Sequence, residues 1–441
     1  MTTRTVSRRY AAVVAAWTAG GLALRLTYVL TVARDRPLAG DPGYFDGLAT
    51  MIRHGRGWND PYLFAYGMGK FPTATHPPLF SLVLAGSSFV GFDSPLGHRV
   101  FSACIGTAAI PLIALVAKRY AGLRAGMIAA GIAALYPYLW MNDVNVLSES
   151  LLAVLIAAIL LIAEATDRTP TLRRGALLGA LIALAALTRG EELLLLPLLA
   201  WPLLLRGASP LREKLQRVAA ATVAFVVLLA PWTAWNLTRF DHPVLISTDF
   251  GGTLFNTNCD AVWHGSQIGW WVFLPPCPND APPTMRDEST RDDYLRSSAW
   301  KYVSGHLNWL PVVVSARVGR IWGVFNPRQT RTLDELQGRG KWPTTVGFIL
   351  YYPLLVLSVV GLVRLRRLRR SLIPFLALAA VVTITAALFY GSPHFRAPVD
   401  VGMVVLGAIG INALFGRRQV RAESRATTGA NASIASSGTT V

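Results

Sequence analysis

The sequence predicts an all-α polytopic membrane protein, and three observations carry that prediction. Hydrophobic residues fill 53% of 441 positions against 15% charged residues, and the mean hydropathy is +0.42. Apolar runs recur at close to the ~20 residues that a helical span requires. The basic residues behind the net charge of +18 sit in short clusters between those runs, not along one face. A soluble enzyme or transcription factor is excluded, and a nucleic-acid partner is not expected.

Cytoplasmic loops carry an excess of Lys and Arg, and one threading satisfies every basic cluster. The first span, 10–32, leaves the cytoplasm after Arg8 and Arg9 and is read as an uncleaved span, since Arg25 interrupts its apolar run. Residues 33–96 form a first outer loop. Spans 97–118 and 124–141 return through Lys118, Arg119 and Arg124; span 147–165 re-enters at Arg168, Arg173 and Arg174. A short pair, 175–188 and 191–205, leads to Arg206, Arg212, Lys214 and Arg217. Span 218–235 then delivers an outer segment, 236–343. Spans 344–363, 372–390 and 399–415 complete the set, with Arg364, Arg366, Arg367, Arg369 and Arg370 inside after the first and Arg417 and Arg418 after the last. Ten spans result. The run Pro77–Val90, about 14 residues, is short for a crossing and is read as interfacial or re-entrant. The domain reading is therefore a transmembrane catalytic module over 1–235, an extracytoplasmic loop region over 236–343, C-terminal transmembrane helices over 344–416, and a disordered cytoplasmic tail over 417–441, which is too polar to bury a core.

Within the outer segment Cys259 and Cys277 could pair as a disulfide. Its aromatic residues, Trp263, Trp270, Trp271, Trp300, Trp309, Tyr294 and Tyr302, read first as an interfacial belt. Arg317 and Arg320, in an amphipathic stretch, are expected to face lipid headgroups. Arg25 reads as a snorkelling side chain or a contact to a lipid phosphate.

On this threading the polar groups that are expensive near lipid collect at the outer face. The first loop supplies Asp41, Tyr44, Asp46, Lys70 and His76. Later turns supply Asp143, Glu149 and Ser150, then Arg189, Glu191 and Glu192, then His394 and Arg396. Carboxylates beside cations suit transfer from a phosphate-linked donor. A carboxylate can take the proton of an acceptor hydroxyl while Arg, Lys or His neutralises the departing phosphate. Guanidinium groups favour bidentate phosphate contacts, which singles out Arg189 and Arg396. Each residue also has a plain structural reading. Asp41 can start a helix, Glu149 can favour a helix N-terminus, Arg189 and Glu191 can pair locally, and His394 and Arg396 can anchor the last helix.

An ordered set of short motifs resembles a known family. Gly40-Asp41-Pro42-Gly43-Tyr44-Phe45, Gly55-Arg56-Gly57-Trp58 and His76-Pro77-Pro78-Leu79 come first. Ser148-Glu149-Ser150-Leu151, Leu187-Thr188-Arg189-Gly190-Glu191, Trp235-Asn236 and Ser247-Thr248-Asp249-Phe250-Gly251-Gly252-Thr253-Leu254 follow, and His394-Phe395-Arg396-Ala397-Pro398 closes the set. Together they resemble polyprenyl-phosphate-sugar-dependent glycosyltransferases of the GT-C fold, which include protein O-mannosyltransferases and the lipid A aminoarabinose transferase. The resemblance implies an inverting membrane enzyme that takes a sugar, mannose being the leading expectation, from a lipid-phosphate donor at the outer face of the cytoplasmic membrane. The acceptor would be a cell-envelope glycan, glycolipid or protein. Asp41 matches the proposed catalytic base. Tyr44, His76, Glu149, Arg189, Glu191, His394 and Arg396 are the expected substrate-binding residues. The alternatives are a transporter or flippase for lipid-linked saccharide and a non-catalytic envelope-assembly partner.

The departures from the family pattern are specific. Pro42 follows Asp41 where protein O-mannosyltransferases have an Asp-Glu pair, the outer segment is too short for their soluble domains, and His76 stands where the aminoarabinose enzyme typically has Lys. Oligosaccharyltransferase relatives hold a divalent ion with first- and second-loop acids, which Asp41 with Asp143 or Glu149 could imitate. Without a close carboxylate pair, no metal cofactor is the favoured expectation.

Overall fold

The computed structural model describes residues 3–272, 277, 281–282, 285–336 and 338–415. The expected tail over 417–441 lies outside the described residues. Among those described, the chain is helical and its β pairing is one isolated bridge, Asn59–Pro72. Six helices are long and apolar enough to cross a membrane: Ser7–Ala33, Pro95–Ala121, Glu149–Arg168, Leu211–Asn236, Lys341–Arg367 and Pro393–Phe415. The other four expected spans are shorter helices, Leu123–Leu135 (continued by Pro137–Val144), Leu172–Ala186, a broken segment over 190–204, and Ile373–Leu388. Length alone thus supports six crossings, and the count of ten rests on the charge pattern. The chain is a multi-pass membrane protein.

Local chemistry sets the helix ends. Ser94 accepts a hydrogen bond from the Gly97 N–H and Pro95 occupies the first helical position, so Pro95–Ala121 starts there. It stops at Gly122, whose φ of +87° no β-carbon residue adopts cheaply, and the chain turns straight into Leu123–Leu135. Lys118 and Arg119 complement its carboxyl end. Small residues let helices meet without a hydrophobic driving force. A β-carbon at Gly179 would lie 1.9 Å from the Ala221 carbonyl oxygen, and one at Gly361 2.1 Å from that of Leu406. Those two contacts join Leu172–Ala186 to Leu211–Asn236 and Lys341–Arg367 to the last helix.

Charge separates the two ends of the bundle. At one end Arg168 donates to the Arg119 carbonyl (3.0 Å) and bonds Glu164, while Arg206 donates to Ser371 Oγ (2.7 Å). The clusters assigned to the cytoplasm therefore meet one another. At the opposite end lie the first loop, the 187–191 turn and the start of the last helix. The Pro77–Val90 run forms the helix Pro78–Ser88, whose 11 residues are too short to cross. It packs Phe80, Leu84 and Ala85 against the helix Asp41–Arg53.

Several sequence expectations are corrected here. Arg25 neither snorkels nor reaches a lipid phosphate: it is 1% exposed, and its Nε donates to Asp143 Oδ2 at 2.7 Å inside the bundle. Arg317 and Arg320 do not face headgroups. Both are buried, and they tie the outer segment to the bundle through Asn258 Oδ1 (3.0 Å), the Ala387 and Leu388 carbonyls (both 3.2 Å), the Ile268 carbonyl (2.6 Å) and Thr330 (3.0 Å). Trp263 and Trp270 are core, at 0% and 3% exposure, whereas Trp300 and Trp309 are exposed. Cys259 and Cys277 are joined as a disulfide, settling an alternative the sequence leaves open.

Candidate active site

Asp41 owes its position to three neighbouring features. Gly40 takes φ +63°, Pro42 sets the first helical turn, and Tyr62 Oη donates to the Gly40 carbonyl at 2.5 Å. The Asp41 carboxylate thus stands at the amino end of Asp41–Arg53, where the helix dipole favours negative charge, with its side chain 48% exposed. His76 comes from an extended stretch, as a residue before proline must. Glu288 staples that stretch: it accepts from the Ala74 N–H (2.7 Å), Thr75 Oγ1 (3.2 Å) and Thr248 Oγ1 (2.8 Å). The Thr248 N–H in turn donates to the Ala74 carbonyl (2.9 Å), which brings Asp249 to the same place.

His76 Nε2 lies 3.5 Å from Asp41 Oδ1. Burial works against the charged form of each, yet their mutual attraction wins. The Asp41 carboxyl is held well below the usual range by His76, with His394 and Arg189 adding to the effect, and the His76 imidazole is raised by Asp41 and Asp249. Asp249 moves the other way. Burial pushes it up to about 6, the Asp41 charge adds to that, and His76 opposes it. Two carboxylates therefore flank one imidazole with their proton affinities set apart, the pattern of groups with separate acid and base roles.

Arg189 forms the second half of the site. Its Nε donates to Glu191 (2.7 Å) and its Nη1 to Glu149 (2.6 Å), with Phe395 beneath the guanidinium at 5.1 Å. None of these bonds uses Nη2. His394 Nδ1 lies 3.0 Å from Arg339 Nη2. Its Nε2 lies 2.7 Å from Glu149 Oε1 and 3.0 Å from Arg189 Nη1. Glu191, Arg189, Glu149, His394 and Arg339 thus form one connected polar chain.

These groups border a cavity of about 650 Å³. Of the expected site residues, Asp41, His76, Arg189, Glu191 and His394 line it. Three do not. Tyr44 is core: its Oη pairs with Thr73 Oγ1 (2.9 Å) and its ring meets the His76 ring edge-on at 4.9 Å, so it positions the imidazole. Glu149, 1% exposed, lies behind the wall and holds Arg189 and His394. Arg396 turns into the bundle, where its Nε donates to Asp400 (3.0 Å) and its guanidinium covers Tyr351 at 3.8 Å.

Asp249 and Tyr390 line the cavity and were not singled out as site residues by the sequence. Asp249 had a signal, since it stands within the Ser247–Leu254 motif; Tyr390 had none. The acids weighed for a metal clasp with Asp41 have cationic partners. Asp143 is committed to Arg25, and Glu149 to Arg189 and His394.

Residues 75–235 match the family described as dolichyl-phosphate-mannose-protein mannosyltransferase. Among curated protein sequences none matches the chain. Among solved structures, the oligosaccharyltransferase of Archaeoglobus fulgidus in its apo form is similar over 95% of this chain and 52% of its own, at 15% identity and a TM-score of 0.55. The oligosaccharyltransferase AglB from Archaeoglobus fulgidus in complex with an inhibitory peptide and a dolichol-phosphate gives 14% identity, the same coverages and a TM-score of 0.54. The chain spans about half the length of these relatives. With the motif resemblance borne out by the matched segment and by the shared architecture, this chain has the GT-C glycosyltransferase fold.

Proposed function

We propose that the protein is an inverting glycosyltransferase that moves a sugar, mannose first among the expectations, from a polyprenyl-phosphate donor to a cell-envelope glycan, glycolipid or protein. The observation that carries this reading is the composition of one cavity. Its polar side holds Asp41, His76, Asp249 and Arg189, and its apolar side runs along Phe225 and Leu229 to Leu193 and Leu388, which are 40% and 46% exposed on the bundle surface. A phosphate linked to a long apolar chain matches both sides at once, the chain leaving toward lipid and the phosphate meeting Arg189 and His76.

Asp41 deprotonates the acceptor hydroxyl as it attacks the anomeric carbon, and the lipid phosphate departs toward the cations. With the cavity empty, the cations keep Asp41 a weak base. A bound phosphate takes up that same positive charge, so donor binding itself raises the proton affinity of Asp41.

Transport fits less well, because Arg25 and Arg396, both buried in the bundle, are neutralised locally by Asp143 and Asp400 instead of standing free along a path. The test is turnover by the purified protein in lipid nanodiscs with radiolabelled polyprenyl-phosphate sugars and envelope extract. Label released from the lipid and found on an acceptor is the expected result. Donor that crosses the bilayer with its sugar still attached would overturn the reading.

The site is proposed to face outward from the cytoplasmic membrane. Single cysteines placed at Gly190 and at Arg369 in a Cys104→Ser background that keeps the Cys259–Cys277 disulfide should therefore behave oppositely in intact cells: an impermeant maleimide labels the first and not the second. The reverse pattern would invert the threading.

A further inference from the structure

We propose that Asp260, His264 and His306 bind one divalent transition-metal ion, Zn²⁺ by ligand type, which clasps the outer segment beside the Cys259–Cys277 disulfide. One ligand atom from each residue lies within 4.8 Å of the others. None of the three lines the catalytic cavity. Tetrahedral zinc with bonds of ~2.0–2.1 Å needs ligand atoms roughly 3.3–3.4 Å apart, so closure takes about 1 Å of side-chain adjustment.

The ligands are prepared by their neighbours. His306 Nδ1 donates to the Tyr302 carbonyl at 2.8 Å; a carbonyl only accepts, so Nδ1 carries the proton and the Nε2 lone pair is left for a metal. The Tyr302 hydroxyl donates to Asp260 Oδ1 at 2.7 Å, orienting that carboxylate and leaving Oδ2. One tyrosine thus fixes two of three ligands, the supporting arrangement that metal sites use. Its ring also stacks on His306 at 4.2 Å. His264 follows Asp260 by four residues and shares its helical face, with its ring against the edge of Trp309 at 4.6 Å.

The backbone under these side chains is anchored. Cys259, immediately before Asp260, is bonded to Cys277, and Val262 and Trp263 are buried with Val303 and Val313. Two imidazoles and one carboxylate favour Zn²⁺ over the hard cations, which prefer oxygen alone. Asp260 and His264 are exposed, which leaves room for a water as fourth ligand. The ion would join the turn at 260–264 to the end of the helix Glu288–Gly305, as the disulfide braces the same turn from its other side.

The test uses tag-free, chelator-treated full-length protein in detergent, titrated with Co²⁺ and followed by visible d–d absorption. Saturation at one equivalent, reversed by Zn²⁺, is expected. His264→Ala and His306→Ala should abolish it, Tyr302→Phe should weaken it about 10–100-fold, and His54→Ala should leave it unchanged. His264→Gln, checked by size exclusion, separates lost ligation from lost folding. No saturable band, or the same affinity in the His264 and His306 variants as in wild type, would overturn the site. The readout needs no sugar transfer, so its failure and a failure of the proposed activity are distinguishable.

Discussion

Asp41→Asn lowers glycosyl transfer by about 10²–10⁴-fold, the range over which a positioned general base acts, while the lipid donor still binds. Asn keeps the shape of the side chain and the helix start at Pro42, so the cavity walls stay in place; what is lost is the lone charge that can accept the acceptor proton. The measurement is single-turnover transfer at saturating donor, beside donor binding measured without acceptor. Asp249→Asn is the informative companion. His76 pairs with Asp41 at 3.5 Å, whereas Asp249 bonds Thr253 (3.1 Å), so its substitution reduces transfer by less. Equal losses in the two variants would move the base away from Asp41, and undiminished transfer in Asp41→Asn would remove it from the mechanism. The variant also discharges the pair with His76, whose imidazole is raised mainly by Asp41. Some loosening of the donor at high pH is therefore expected, whereas the transfer defect persists at low pH, where His76 is charged regardless.

Residues next to backbone punctuation were legible in the sequence, and residues defined by distant partners were not. Asp41 beside Gly40 and Pro42, His76 before two prolines, and Arg189 before Gly190 all reach the cavity, because the turn that exposes each is written beside it. Arg396 was misplaced because it shares a motif with His394. The two sit two residues apart in the short helical turn Pro393–Arg396, and at three residues per turn a step of two places side chains about 120° apart, on different faces. His394 therefore meets the cavity and Arg396 the bundle. Glu149 was assigned to substrate because an acid opening a span is expensive; the structure satisfies that expense with Arg189 and His394. Glu288, which positions the His76 loop through three hydrogen bonds, stands more than 200 residues away on an unremarked polar helix, and no periodicity marks it. Basic residues from separate clusters, Arg119 and Arg168, meet in the structure, since charge at helix ends is a local quantity.

The pair Arg25–Asp143 carries the largest expected effect on stability. The residues are 118 positions apart, both buried, and joined at 2.7 Å. Arg25 Nη1 also donates to the Gly21 carbonyl at 3.0 Å. The carboxylate fits beside the helix Pro95–Ala121 only because position 106 is glycine: a β-carbon there would lie 2.0 Å from the Asp143 carboxyl. Removing one partner strands the other charge in a medium that cannot solvate it, a loss of about 3–5 kcal/mol for a buried pair. Arg25→Met or Asp143→Leu alone should therefore lower the thermal midpoint in detergent sharply. The double variant should recover most of the loss, because replacing a whole buried pair with apolar groups is often neutral. Gly106→Ala should act like a single variant by prising the carboxylate from Arg25. A double variant as unstable as the sum of the singles would mean that the pair is worth more than its own desolvation. The charges would then hold the first span in register against the helix Pro137–Val144, and the active-site end of the bundle with it.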